Sequence, residues 1–285
     1  MQRNKMLHVV YRVGDLDKSI DFYTNVLGMK VLRKRDVPEG KYTNVFLGYG
    51  PESKGEHFSV ELTYNYGVDK YDIGKLGFLG LGVCLPELQA VESSVEGHHG
   101  RVIRNVEELE ITPSMIPDEP AEQYRLWTMA TAEDPDGYQI ELLQKPQRDP
   151  MHRVRLHVTR LEPGIAFYTE VLGMKLLRKR SLLPEWPAIS VWLGYGDDEF
   201  DQTLLELIYE FSTQELDVGD GYGQIAISTP DVYEAAKIIE AKGGEISRAP
   251  GPVPGIGTKI VAAKDPDGYK VVLVDEKDFE AEFNE

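Results

Sequence analysis

The chain opens with a short run of apolar and β-branched residues, Leu7–Val13, that predicts a β-strand. Apolar residues then recur at helical spacing over Ile20–Val26, after acidic residues at Asp15–Asp17 that favour a helix start. Gly28 fits the position just past the end of that helix. Strand patterns follow at Met29–Lys34, Tyr42–Leu47 and His57–Tyr64. The predicted order of the first unit is therefore βαβββ.

A second copy of this unit lies in the other half of the chain. The segment Gly164–Arg180, GIAFYTEVLGMKLLRKR, repeats Ser19–Arg35, SIDFYTNVLGMKVLRKR. The same order of elements is predicted around it, with a helix near Gly164–Val171 and strands at Arg153–Val158, Met174–Arg180, Ala188–Leu193 and Gln202–Tyr209. The repeat indicates two copies of one domain on one chain.

Each copy continues into a further unit. In the first copy, acids and prolines over Val102–Pro120 predict a loop insertion before strands at Arg125–Ala132 and Tyr138–Leu143. In the second copy, a helix at Asp231–Lys242 lies among strands at Gln224–Ser228, Thr258–Ala263 and Tyr269–Val274. The sequence thus predicts an α+β protein of four βαβββ modules in two tandem domains, residues 1–145 and 151–285, joined by a linker at Gln144–Pro150.

Two short segments complete the pattern. DPDGY occurs at Asp134–Tyr138 and again at Asp265–Tyr269. Since Asp-Gly between two strand patterns is a hairpin signal, we expect a structural turn at both places. The last residues, Asp275–Glu285, are predicted to form an acidic tail.

Composition narrows the class of partner. The net charge is −17, which disfavours nucleic acids and anionic membrane surfaces. The chain has 1 cysteine, Cys84, so no internal disulfide can form. The opening residues show no signal-peptide pattern and no segment has the length and apolarity of a membrane span. We expect a cytoplasmic protein.

Polar side chains at defined positions suggest chemistry. In the first strand His8 and Arg12 share a face, and in the fourth predicted strand Glu61 and Asn65 share one. Either these faces meet bulk water, as in many antiparallel sheets, or a curved sheet brings the four side chains into one cavity. An imidazole nitrogen and a carboxylate oxygen suit Zn²⁺, Ni²⁺, Co²⁺ or Fe²⁺.

With these motifs the chain resembles a known family. HVVYRVGDLD at His8–Asp17, the repeated FYT–VLGMK–LRKR segment and VELTYNYGVDKYDIG at Val60–Gly74 are similar to glyoxalase I, the lactoylglutathione lyase of the vicinal-oxygen-chelate superfamily, in its fused two-domain form. The resemblance implies a divalent metal (Ni, Co or Zn), glutathione as cosubstrate and a monomer with two clefts. Each cleft would take two metal ligands from each half of the chain.

Carried over by position, the resemblance assigns the first cleft. His8, Glu61 and Gln224 are the expected metal ligands, and Val272 stands where the family has a second Glu. Glu61 is also an expected catalytic residue. Arg12 and Asn65 match the family's glutathione-binding Arg and Asn.

The second cleft departs further from the family pattern. Glu206 and Glu141 stand at its ligand positions, with Glu141 as a catalytic candidate, but Arg153 replaces His or Gln and Gly80 replaces His. Because arginine has no lone pair to give to a metal, we expect Arg153 to pair with a carboxylate instead. GFLGLGV at Gly77–Val83 is similar to a glyoxalase-domain-containing subgroup that also has a small residue at this position.

Two functions follow from the resemblance. The first is a glyoxalase I-like protein, degenerate at several ligand positions, that binds a glutathione conjugate or small metabolite with weak or no lyase activity. The alternative is an active metal-dependent lactoylglutathione lyase that converts the methylglyoxal–glutathione hemithioacetal to S-lactoylglutathione. An Fe²⁺ dioxygenase ranks last, because neither cleft offers two histidines at the family positions.

Overall fold

The structure is a computed structural model that describes residues 4–116 and 125–283. Its first two modules hold β1 (Met6–Arg12), α1 (Leu16–Asn25), β2 (Lys30–Val37), β3 (Tyr42–Gly48) and β4 (Ser59–Asn65), then β5 (Phe78–Leu85), α2 (Gln89–Val95), β6 (Arg101–Ile111), β7 (Arg125–Glu133) and β8 (Gln139–Gln144). The prediction of βαβββ units is confirmed in this half.

The other half repeats the order. Its two modules hold β9 (Met151–His157), α3 (Leu161–Ala166), β10 (Lys175–Ser181), β11 (Ala188–Gly194) and β12 (Leu204–Glu210), then β13 (Tyr222–Thr229), α4 (Val232–Ala241), β14 (Glu245–Pro252), β15 (Lys259–Lys264) and β16 (Lys270–Asp275). A π-helix at Phe167–Val171 extends α3, and α5 (Glu276–Ala281) is the last helix of the described chain. The fold is α+β with four βαβββ modules, as predicted.

The modules pair crosswise between the halves. One eight-stranded sheet, the first sheet, has the order β14-β15-β16-β13-β1-β4-β3-β2, and the second sheet has the order β10-β11-β12-β9-β5-β8-β7-β6. Each sheet therefore joins the first module of one half to the second module of the other, through β1 with β13 and β5 with β9. The domain boundaries at 145 and 151 stay a prediction.

The buried apolar side chains form a main core on one face of the sheets and a smaller cluster on the other face. The largest apolar cluster takes residues from both sheets and from α1, α3 and α4, such as Tyr11, Tyr23, Phe167 and Val271. The next residue on β16, Val272, belongs to a smaller cluster with Ala226, Ala262 and Phe279. Since successive side chains of a strand point to opposite faces, the smaller cluster lies on the face away from the main core.

The DPDG turns form hydrogen bonds between modules. Asp134 accepts hydrogen bonds from the backbone N–H groups of Asp136, Gly137 and Tyr138 and from the Tyr23 hydroxyl of α1. Tyr138 Oη donates to the carbonyl oxygen of Arg12 at 2.9 Å. The predicted structural turn is confirmed, and it also ties the second module to the first.

Two segments differ from their predictions. The acid-rich part of Val102–Pro120 is mostly strand, because β6 forms a long ladder with β7; residues 117–120 lie outside the described chain. The acidic tail contains α5, whose start is capped by the Asp275 side chain accepting from Asp278 N–H. Among the described helices, none is long and apolar enough to cross a membrane.

Candidate functional site

The face of the first sheet that carries His8 and Glu61 is called the first cleft. The two residues lie on the adjacent parallel strands β1 and β4, where Val10 is in register with Glu61. Because alternate residues of a strand share a face, His8 and Glu61 point to the same side. Their side chains approach to 3.5 Å between Nε2 and Oε2. The structure thus brings together two of the three residues that the sequence assigned to a metal here.

Burial sets the charge of this pair. His8 is 8% exposed, and desolvation, helped by the nearby Arg33 charge, lowers the pKa of its imidazole to about 3. Desolvation also raises the pKa of Glu61 to about 7, against the opposing charge of Arg33. The Asn44 amide donates to Glu61, while His8 Nδ1 has no hydrogen-bond partner in the described chain. At neutral pH the imidazole is therefore neutral.

The other half of the chain supplies the remaining wall of the first cleft. Gln224 is in register with Val10 from the β13 side, so its half-buried side chain shares the face of His8 and Glu61. Val272 is in register with Ala226, which is itself opposite His8. Val272 is 2% exposed and packs in the small apolar cluster with Phe279. The position at which the resemblance led us to expect a second carboxylate is thus buried among apolar side chains.

Helix α5 lies across this cleft. Phe279 packs in the apolar cluster on β13, β15 and β16. Glu282 contacts both ends of the sheet, since it accepts from the Thr258 hydroxyl next to β15 and pairs with Arg33 of β2 at 3.2 Å. Arg33 itself stacks on Phe46, with its guanidinium carbon 3.6 Å from the ring centroid. The C-terminal segment therefore covers the side on which His8 and Glu61 lie.

The face of the second sheet that carries Arg153 and Glu206 is called the second cleft. Arg153 Nε lies 3.1 Å from Glu206 Oε2, and its terminal nitrogen donates to Glu141. Arg155 bridges the same two carboxylates, at 2.8 Å from Glu206 and 3.1 Å from Glu141. Although burial alone would raise the pKa of Glu206, the two guanidinium charges and a hydrogen bond from Ser190 hold it well below its ordinary value.

Gly80 lacks a side chain for a backbone reason. Its φ is +129°, and a Cβ added there would lie 1.9 Å from the carbonyl oxygen of Gln139. The strand β5 has a register shift at this point, between Phe78 and Gly80. No histidine can occupy position 80 without a rearrangement of β5 and β8.

These donors do not fit the four-ligand metal site of the family. Among residues 4–116 and 125–283, no group of three or more His, Cys, Asp and Glu side chains could hold a metal ion. In the second cleft Arg153 and Arg155 already pair with the carboxylates. In the first cleft no third His, Cys, Asp or Glu of the described residues joins His8 and Glu61 in such a group.

The predicted glutathione-binding residues are engaged with the protein itself. Arg12 donates to the carbonyl oxygens of Asp220 and Tyr222, the second at 3.4 Å. Asn65 Nδ2 donates to the Tyr71 hydroxyl at 2.7 Å. Both side chains remain half-buried.

Sequence reasoning missed part of the second cleft. A cavity of about 390 Å³ opens there, lined by Glu141, Arg155, Arg180, Glu206 and Trp186 among others. His152 is fully buried and its Nδ1 lies 2.9 Å from an Arg153 nitrogen. The signal for Arg180 was available in its position within the strand pattern of Met174–Arg180, where it shares a face with Arg178.

Comparisons with known proteins agree with the architecture. Residues 5–142 and 151–273 both match the Glyoxalase/Bleomycin resistance protein/Dioxygenase superfamily. A probable lactoylglutathione lyase, chloroplastic, from Arabidopsis thaliana is 48% identical over 279 residues, which are 97% of this chain and 74% of the relative. A lactoylglutathione lyase from Oryza sativa subsp. japonica is 45% identical over 97% of this chain and 91% of its own. The crystal structure of glyoxalase I from Zea mays superimposes with a TM-score of 0.85 at 46% identity, covering 99% of this chain and 95% of that one.

Proposed function

This chain belongs to the Glyoxalase/Bleomycin resistance protein/Dioxygenase superfamily, and we propose that it is a glyoxalase I-like protein that binds a glutathione conjugate or small metabolite with weak or no lyase activity. Its relatives at 45–48% identity are named lactoylglutathione lyases. That similarity supports the glyoxalase I activity as well as recognition of a thiol conjugate. Our reason for proposing that the activity is weak is the arginine at an expected ligand position of this chain.

One observation carries the proposal. The Arg153 guanidinium lies between Glu206 and Glu141, where the family would hold a metal ion. A fixed positive charge satisfies the two carboxylates but offers no open coordination position for the two oxygens of a substrate. The second cleft therefore lacks the Lewis acid, and loss of a positioned base or metal costs roughly 10²-fold or more in rate.

For the bound conjugate we assign Arg12 and Asn65, as the resemblance implies. Arg12 carries the fixed positive charge suited to a peptide carboxylate, four positions beyond His8 on β1. Both residues would exchange their present hydrogen bonds to Tyr222 and Tyr71 for bonds to the ligand. Variants Arg12→Ala and Asn65→Ala should each weaken binding of S-hexylglutathione in calorimetric titration.

Turnover of the hemithioacetal tests the activity half of the proposal. The purified protein should show little rate above buffer with added Ni²⁺, Co²⁺ or Zn²⁺, while S-hexylglutathione still binds. Turnover of the hemithioacetal well above the buffer rate with any of these metals would overturn the claim of weak or no lyase activity. Absence of S-hexylglutathione binding would overturn the claim that the protein binds a conjugate.

An active metal-dependent lyase working from the first cleft is the second candidate. It is favoured by the 3.5 Å approach of His8 and Glu61, with Gln224 on the same face. This candidate requires one tightly held metal ion per chain, lost together with activity in His8→Ala. Elemental analysis of the purified protein separates the two candidates before any kinetics.

Three further expectations stay predictions. The crosswise pairing of the halves supplies both sides of each cleft from one chain, so we expect a monomer by sedimentation. The net charge of −17 still disfavours nucleic acid and anionic membrane surfaces. A cytoplasmic location is expected from the sequence, although the name of one relative includes the word chloroplastic.

A further inference from the structure

Arg180 of β10 is a buried cation in the second cleft. Its side chain lines the cavity, and the residue is 6% exposed. Its Nε has no hydrogen-bond partner in the part of the chain that the structure describes. The guanidinium carbon instead lies near two indole rings, 5.6 Å from the Trp127 centroid and 5.8 Å from the Trp192 centroid.

The neighbouring cations on this face have carboxylate partners. Arg153 and Arg155 share Glu206 and Glu141, and Arg178 pairs with Glu199 at 2.7 Å. Among the described residues, no carboxylate forms an ion pair with Arg180. A buried guanidinium without a carboxylate in direct contact is unfavourable, since burial removes its hydration and the two indole rings replace only part of it. An anion placed against Arg180 would supply the missing partner.

We infer that the second cleft binds a small monocarboxylate with an apolar body, whose carboxylate is held by Arg180. The cavity of about 390 Å³ is within the size range of small-molecule sites. Its walls include Ile111, Met129, Leu182 and Trp186, which suit an apolar body. A planar guanidinium matches a carboxylate with two parallel hydrogen bonds.

The charge of the cavity selects a monoanion. Glu141 and Glu206 also line it, and each is matched by Arg153 and Arg155. Arg180 is thus the positive charge left over on this surface. A phosphate dianion would bring a second negative charge towards those carboxylates and would be disfavoured in a cavity of low dielectric.

The carboxylate could belong to a free acid or to a glutathione conjugate. Because both present the same group to Arg180, the experiment below is designed to distinguish the two sources. This site does not involve Arg12 or Asn65, and it therefore does not depend on the function proposed above. Binding of S-hexylglutathione without any effect of Arg180 would leave the proposed function standing, and this site would then be judged by benzoate.

The tryptophans make the site directly observable. The chain has 3 Trp, and all of them lie at this cleft, with Trp186 in the cavity wall and the other two beside Arg180. Intrinsic tryptophan fluorescence therefore reports on the second cleft alone. Titrations with benzoate, benzamide, phenyl phosphate and S-hexylglutathione compare a monocarboxylate, its neutral analogue, a dianion and a peptide source of carboxylate.

The decisive variant is Arg180→Gln, with Arg35→Gln at the equivalent position of the first repeat as its matched control. We expect benzoate to bind the wild-type protein and Arg35→Gln alike, and to bind Arg180→Gln about tenfold or more weakly. If Arg180→Gln weakens binding of S-hexylglutathione as well as of benzoate, the peptide is a source of the carboxylate. If the variant weakens binding of benzoate alone, the ligand is a free acid.

Three results would overturn the inference: no binding of benzoate, equal affinity of benzoate and benzamide, or tighter binding of phenyl phosphate than of benzoate. These comparisons need only the wild-type protein, so they hold whether or not Arg180→Gln folds. Since the variant removes an unpaired buried charge, we expect its melting temperature to be equal to or above that of the wild type.

Discussion

Arg153 Nε lies 3.1 Å from Glu206 Oε2, and the two side chains are 1% and 2% exposed. This pair occupies the centre of the second cleft, in a superfamily whose clefts commonly serve a metal. A charge of the protein's own chain thus pairs with the two carboxylates of this cleft.

Removing one member of this pair should strongly destabilise the fold. Arg153→Met leaves Glu206 and Glu141 with Arg155 alone, and we expect a loss of about 3–5 kcal/mol in the free energy of unfolding, as for other buried pairs that lose a partner. Urea unfolding measures it. Lys237→Met, which breaks the exposed pair with Glu234, is the control and should cost less than about 1 kcal/mol. Equal effects would show that the buried pair adds no stability.

The turn carboxyl Asp134 should make stability depend on pH. Burial raises its pKa from 3.8 to about 7, with Asp136 adding to the effect. Between these values the folded chain keeps a proton that the unfolded chain releases, so its contribution to stability is full below about pH 4 and is lost as the pH rises to about 7. Asp134→Asn should flatten this fall in the free energy of unfolding.

Asp15 offers a control of opposite sign for that experiment. Hydrogen bonds from Lys18 lower the pKa of its exposed carboxyl, so its contribution is lost as the pH falls, not as it rises. Asp15→Asn should therefore leave the decline between pH 4 and pH 7 in place. If Asp134→Asn also leaves it in place, the carboxyl is ionised in the folded state.

Loss of the Phe279 ring should open the first cleft. Phe279 is 4% exposed in the apolar cluster that attaches α5 to the sheet. Phe279→Ala should lower the free energy of unfolding by about 3 kcal/mol and increase modification of His8 by diethyl pyrocarbonate. Phe211→Ala, at a ring that is 47% exposed, should change neither. Unchanged His8 reactivity in Phe279→Ala would mean that α5 does not shield the cleft.

Restoring the family's ligands in the first cleft should create a metal site at a cost in stability. In Gln224→His/Val272→Glu, the new carboxyl would lie among Ala226, Ala262 and Phe279. Burying it without a partner is unfavourable, so we expect a lower melting temperature without metal. Added Ni²⁺ should then raise the melting temperature of the double variant by linkage, and not that of Val272→Glu alone. A nickel effect equal in both would show that Gln224 is not directed to the site.

Cys84 should be unreactive in the folded protein. It is fully buried on β5, and burial raises the pKa of its thiol to about 12. Because the thiolate is the reactive form, we expect no colour with Ellman's reagent until denaturant is added, and then one thiol per chain. Rapid reaction without denaturant would indicate local opening of β5.

Part of this site could be predicted from the sequence because it depends on local patterns. The repeat of Ser19–Arg35 in Gly164–Arg180 indicated two copies of one domain, and the alternation around His8 and Glu61 placed each on a definite face of its strand. The pairing of Arg153 with a carboxylate was expected from the chemistry of arginine, which cannot replace a histidine as a ligand.

Other features depend on contacts that no local pattern encodes. The acids of β6 suggested a loop, but its ladder with β7 supplies backbone hydrogen bonds that outweigh that composition. The acidic segment after Asp275 contains a helix that covers the first cleft, because Phe279 packs against apolar side chains of β13, β15 and β16.

The sequence by itself determined the module order, the turns and the side of each strand on which a residue lies, since these follow from spacing and from the conformational preferences of single residues. Only the tertiary structure decided which charges meet: two arginines with two glutamates in one cleft, a histidine with one glutamate beneath a helix in the other, and Arg180 with none among the described residues. Charge pairing depends on distances between segments far apart in the chain, and those distances are set by how the two halves pack.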